Sequence, residues 1–199
     1  MFYPKLVRSS NYKKKSNGGN YSDYKVHLEQ VQQDCQFRCV YCDIKLDEAG
    51  FEGFHIDHFR PVFIFPDLRT DPENLVLACS KCNILKSKDW PSNSFDSIVG
   101  SVGYLDPFVE SRPSYFHVSE TGELMQTQDP ITYMVDVLAL NRFSRVQIRR
   151  SRQLDKRYEE ILNRVHSLTV TLETSYKDGE DVAELVTTIT KVHKHLKEF

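Results

Sequence analysis

Four of the five cysteines in this 199-residue chain fall in two CxxC pairs, Cys39/Cys42 and Cys79/Cys82, with 36 residues between them. A CxxC turn sets two sulfurs beside one ion, and two such turns complete the tetrahedral sulfur set that suits zinc. The intervening stretch must then close on itself around one structural Zn2+ held by Cys39, Cys42, Cys79 and Cys82. Metal binding of this kind contributes on the order of 10 kcal/mol to the folding of a small module. Buried cysteines acting as small hydrophobes are the simpler reading, but two independent pairs at knuckle spacing would then be a coincidence. Thiols in this pattern fit metal binding in a reducing compartment better than a disulfide framework. A cytoplasmic protein is expected, because no apolar run approaches a membrane span and the N-terminus lacks a secretory hydrophobic stretch.

Cys35 is left over, and with Cys39 and Cys42 it spells CQFRCVYC. That spacing resembles the CxxxCxxC motif holding a four-iron cluster in radical S-adenosylmethionine enzymes. Such enzymes are built on an α/β barrel, whereas this chain lacks repeated strand and helix units and supplies a second CxxC. Cys35 is expected as a packed thiol beside the zinc knuckle.

With 40% hydrophobic and 27% charged residues the chain reads as globular, and its net charge of -2 does not identify a partner. Its basic residues are clustered, at Lys5, Arg8 and Lys13 to Lys15, and again from Arg142 to Arg157. Residues 1–21, containing KKKSNGGN, read as a flexible basic arm. Residues 22–90 carry the zinc-bound core, beginning with a helix from about Ser22, its expected cap, to Gln33. His55 to His58 read as extended, Pro61 argues against a helix there, and Ser80 to Lys86 read as a short helix before WPSN. Residues 91–129 read as linking loops with short strands. Residues 130–199 read as helical, with helices in ITYMVDVLALN, from about Arg142 to Thr171, and from about Asp181 to Leu196. The fold class is α+β, two strands and a helix around a four-cysteine zinc site, followed by a mainly helical C-terminal region.

Between the cysteine pairs lie HIDHFRP and ENLVLACSKCNILK. Over residues 35–88 the chain resembles HNH endonucleases, whose core is a ββα-metal fold. By that resemblance Asp57 is the first metal-binding residue, His58 the general base, Asn74 the residue holding the histidine loop, and Asn83 the second metal-site residue. The resemblance implies Mg2+ or Mn2+ as catalytic cation and a nucleic acid, DNA in particular, as substrate. The chemistry asks independently for these types: imidazole accepts a proton from water near neutrality, and a carboxylate holds a hard cation against a phosphate. Adjacent residues of an extended segment point to opposite sides, so Asp57 and His58 need not compete for one ion. Asn83 follows Cys82 directly, so zinc would fix the helix that carries it. His55 stands where relatives often have glutamate, and extended alternation alone explains its sharing a face with Asp57.

Arg60, Lys86 and Lys88 are candidate phosphate contacts beside this motif. Downstream, YLDP and LALNRFSRVQIRR resemble HNH proteins of the retron-linked and Septu-like branch of bacterial antiphage defence, which implies an ATPase partner. Arg145, Arg149 and Arg152 recur with Arg142 at helical spacing, as a stripe along phosphates or a partner face would. The opposing reading is a catalytically inactive, zinc-stabilised module binding nucleic acid or protein. It would need the four cysteines and the basic helix but neither Asp57 nor His58.

Overall fold

Strands β1 (Phe54–His58) and β2 (Leu75–Cys79) pair antiparallel, with Phe54 opposite Cys79 and His58 opposite Leu75. Every residue of β2 is buried, as expected for an unbroken apolar run, whereas the one buried residue of β1 is the charged Asp57. Helix α2 (Ser80–Lys86) follows β2 without a linker and packs on both strands, so the second cysteine pair straddles a strand-to-helix junction. This is the expected order of two strands and a helix. Helix α1 (Leu28–Asp34) packs against β2 from the other side of the sequence. It is entered through a 3-10 turn, Tyr24–His27, capped by Asp23, whose carboxylate accepts from the Lys25 amide at 3.0 Å. The cap is therefore Asp23 and not the expected Ser22.

The computed structural model describes residues 2–179 and 181–196, so the outermost residues of the expected arm and helical region, 1 and 197–199, lie outside the described part. Two compact units divide the chain, Met1–Ile148 and Arg149–Phe199. The first unit is larger than the expected core at both ends. Tyr3 and Leu6 are buried, and Tyr3 meets Phe116 edge-on at 4.7 Å. Arg8 donates to the Leu75 carbonyl at 2.8 Å, and its guanidinium lies 3.8 Å from the centre of the Phe108 ring. Apolar burial thus overrides the basic composition, and only Lys13 to Gly19 of the expected arm is exposed throughout. There the chain reverses through Gly18 at φ 80°, a conformation that suits glycine.

The segment expected as linking loops contributes to the same core. It forms two small antiparallel ribbons, β3 (Ile98–Val99) with β4 (Val102–Gly103) and β5 (Phe116–Val118) with β6 (Leu124–Gln126). From it Tyr104, Leu105, Phe116 and Leu124 are buried beside the residues of β2. Buried Arg112 joins three parts of the unit, donating to the Val40 carbonyl at 2.5 Å and the Pro4 carbonyl at 2.7 Å. Helix α3 (Ile131–Val137) stops short of the full ITYMVDVLALN run, because the chain turns at Ala139 with φ 46° and buries Leu138 and Leu140.

Helix α4 (Phe143–Lys177) runs beyond the expected end, and α5 (Ala183–Leu196) follows. In the second unit the half-buried positions repeat at helical spacing, Ile161, Val165, Leu168 and Leu172 on α4 and Leu185, Ile189 and Val192 on α5. None of the described helices is long and apolar enough to cross a membrane.

Candidate active site

The first CxxC forms a tight knuckle, closed by the Cys39 amide on the Ile44 carbonyl and tied to β2 by the Val40 amide on the Leu77 carbonyl, both at 2.9 Å. Asp43 completes the turn at φ 64° and pairs with Arg38 at 2.9 Å. The knuckle thereby sits over the β2–α2 junction. The four sulfurs of Cys39, Cys42, Cys79 and Cys82 are buried within 4.8 Å of one another, and those of Cys42 and Cys79 are 3.6 Å apart. A tetrahedral zinc with about 2.3 Å bonds to sulfur requires sulfur separations of about 3.8 Å, so these residues could bind zinc. Hydrogen bonding to Cys39 helps hold the Cys79 thiol down at about 5. Cys42, against the effect of burial, is held well below the ordinary thiol value by bonds to the other three sulfurs and by Arg145. Cys35 stays outside the set. Its sulfur accepts from the Leu77 amide at 3.3 Å, and burial pushes its thiol up to about 12.

Asp57 is 8% exposed. Its Oδ2 accepts from the Tyr41 hydroxyl at 2.7 Å and lies 3.8 Å from Lys86 Nζ. Burial raises the Asp57 carboxyl, while Lys86 and Tyr41 oppose that rise; burial likewise lowers the Lys86 ammonium. Lys86 is completely buried and also donates to the His58 carbonyl at 3.2 Å, so it points inward rather than toward an external phosphate as expected. On the other side of the strand, His58 Nε2 is 2.8 Å from the Arg69 carbonyl oxygen. A carbonyl only accepts, so that bond places the proton on Nε2 and leaves the Nδ1 lone pair available. The Tyr24 ring supports the imidazole edge-on at 4.8 Å.

Asn74 is buried and grips the backbone after His58. Its Oδ1 accepts from the Arg60 amide and its Nδ2 donates to the Arg60 carbonyl, each at 2.9 Å. Asn83 is half-buried on α2 one turn before Lys86, a spacing that places both on one helix face. His55 is exposed and bonds Ser80 Oγ at 2.9 Å. Arg60 is half-buried and donates from Nε to the Phe95 carbonyl at 3.1 Å, while exposed Lys88 lies 4.9 Å from the Phe63 ring centre.

The expected arginine stripe does not lie along one open face. Arg145 is buried with its guanidinium against the cysteine sulfurs, Arg149 is buried, and Arg152 is half-buried. Helical spacing identifies residues that share a face but not whether that face meets solvent. Tyr41 also belongs to the site's surroundings and is absent from the sequence expectations, while Arg142, expected only as part of the basic stripe, lies against the cysteine sulfurs. The position of Tyr41 between Cys39 and Cys42 was the available signal.

Residues 39–89 match the family model described as HNH endonuclease, so the chain carries an HNH domain in the region that holds the cysteine cluster, Asp57, His58 and Asn83. Over 46 residues the chain is 37% identical to the Septu protein PtuB of Bacillus thuringiensis. The aligned stretch covers 23% of this chain and 18% of that relative's length.

Proposed function

We propose that this chain is a metal-dependent HNH endonuclease that hydrolyses phosphodiester bonds in nucleic acid, with DNA as substrate, in the cytoplasm as part of antiphage defence. The observation carrying the reading is the His58 side chain, fixed through Nε2 with Nδ1 left to accept a proton, on the strand position next to Asp57. His58 takes the proton of the attacking water. Asp57 and Asn83 would hold Mg2+ or Mn2+, which would supply charge stabilisation at the scissile phosphate. Asn74 positions His58 by fixing Arg60, two residues along the chain. Zinc on the four cysteines sets the start of α2 and hence the placement of Asn83. Arg60 and Lys88 position phosphates. The likeness to PtuB supports the defence setting, and an ATPase is the partner class that setting brings.

The test is cleavage of DNA and RNA with Mg2+ or Mn2+ by the parent chain and by His58→Ala and Asp57→Ala, with melting and zinc content measured on the same samples. Both variants should lose cleavage by at least about 100-fold and keep their zinc; His58→Ala should melt like the parent, whereas Asp57→Ala, which strands buried Lys86, should melt lower and is assayed below its melting range. Cleavage at the parent rate by both folded variants would reject the active-site assignment, and no cleavage of DNA or RNA by the folded, zinc-bound parent would favour the zinc-stabilised binding module.

A further inference from the structure

Two arginines cover the cysteine cluster. Arg142, immediately before α4, places Nη2 at 3.7, 3.8 and 3.6 Å from the sulfurs of Cys42, Cys79 and Cys82. Arg145, in the first turn of α4, places Nε 3.2 Å from Cys42 Sγ and Nη2 3.5 Å from Cys79 Sγ. Neither group is a loose surface cation. Arg142 Nη1 donates to the carbonyls of Leu138 and Ala139 at 3.1 and 3.2 Å, and Arg145 pairs with Glu52.

Arg145 has the Glu52 carboxylate as a counter-charge, but against neutral thiols half-buried Arg142, whose Nη2 lies against three sulfurs, would lose water without gaining matching charge. Four thiolates around a divalent ion instead carry a net charge of about -2, which the two guanidinium groups offset in large part, Glu52 taking a share of the Arg145 charge. The planar fork of arginine allows one group to address several sulfurs, which a lysine point charge cannot do. We infer that Arg142 and Arg145 are positioning residues for a dianionic four-thiolate metal centre, holding its ion in place and fixing the first turn of α4 to the knuckle. N–H···S bonding draws charge from the thiolates of Cys42, Cys79 and Cys82 and makes them poorer bases, which slows loss of the ion. The inference rests on metal binding by the four cysteines and is independent of nuclease activity.

The experiment uses the full chain loaded with Zn2+ and measures transfer to a chromogenic chelator at several pH values. It is repeated with Co2+ to read the thiolate-to-cobalt charge-transfer band. Arg142→Gln should release zinc roughly 10- to 100-fold faster and shift that band, with Arg142→Lys intermediate. Arg145→Gln combined with Glu52→Gln should behave likewise without stranding the carboxylate. Arg142 is half-buried, so Arg142→Met separates packing from charge and should follow Arg142→Gln. If Arg142→Gln and Arg142→Met stay folded, release zinc at the parent rate and leave the cobalt band unmoved, the assignment is overturned. Failure of the parent chain to bind either ion overturns it differently, by removing the metal centre itself.

Discussion

Lys86 and Lys88 are two residues apart, yet their environments are opposite. Lys86 is fully buried with Nζ 3.8 Å from Asp57 Oδ2, whereas Lys88 is exposed beside the Phe63 ring. Removing one partner of a buried ion pair strands the other, so Lys86→Met should destabilise the fold by about 3 kcal/mol. Lys88→Met should change stability by no more than about 0.5 kcal/mol, as surface substitutions do. Urea denaturation of both variants checks the contrast; equal midpoints would show that the Asp57–Lys86 contact carries no stability. Tyr41 completes the surroundings of Asp57. Its hydroxyl is brought to the carboxylate by the cysteine turn on either side of it, so the sulfur cluster and the candidate cation-binding carboxylate are mechanically joined.

At the scale of elements, the hairpin connection from His58 to Leu75 depends on one side chain. Asn74 satisfies both the amide and the carbonyl of Arg60, so Asn74→Ala leaves two part-buried backbone groups without those partners. The expected cost is about 1–3 kcal/mol. Amide exchange should accelerate first in Arg60 and its neighbours; an unchanged exchange pattern would show that the connection is fixed elsewhere. The strand–strand–helix order was legible because its signals are local: an apolar run at β2, a CxxC at the strand end, and a helix stopping near WPSN. The DH pair and both asparagines were picked out as candidates by their resemblance to the HNH motif rather than by a local structural signal. Burial of Lys86 and Arg145 was not legible, since helical spacing names a shared face without naming what covers it. Tyr3 and Leu6 were obscured by the basic run at Lys13 to Lys15, although two apolar side chains suffice to seat the preceding segment in the core.

Over the whole chain, the first compact unit closes only with residues from beyond the HNH match. Its buried set extends from Tyr3 to Leu140, and Arg145 reaches back to Cys42. A fragment of residues 1–160 should therefore melt cooperatively and retain about one zinc per chain, because it contains the first unit and its sulfur contacts. A fragment ending at residue 90 should do neither, having lost Tyr104, Leu105, Arg112 and the two arginines. Calorimetry and metal analysis distinguish these outcomes, and a stable, zinc-loaded shorter fragment would show that the later residues are dispensable to the core.

The separation between cysteines and arginines also has a meaning in time. Arg142 is 60 residues beyond Cys82, the last sulfur it contacts. At about 5–20 residues per second, the four thiols emerge during synthesis roughly 3–12 s before that cover is available. During this interval a nascent chain presents its sulfurs to passing metal ions and oxidants without the guanidinium groups, and the speed of translation sets how long that exposure lasts.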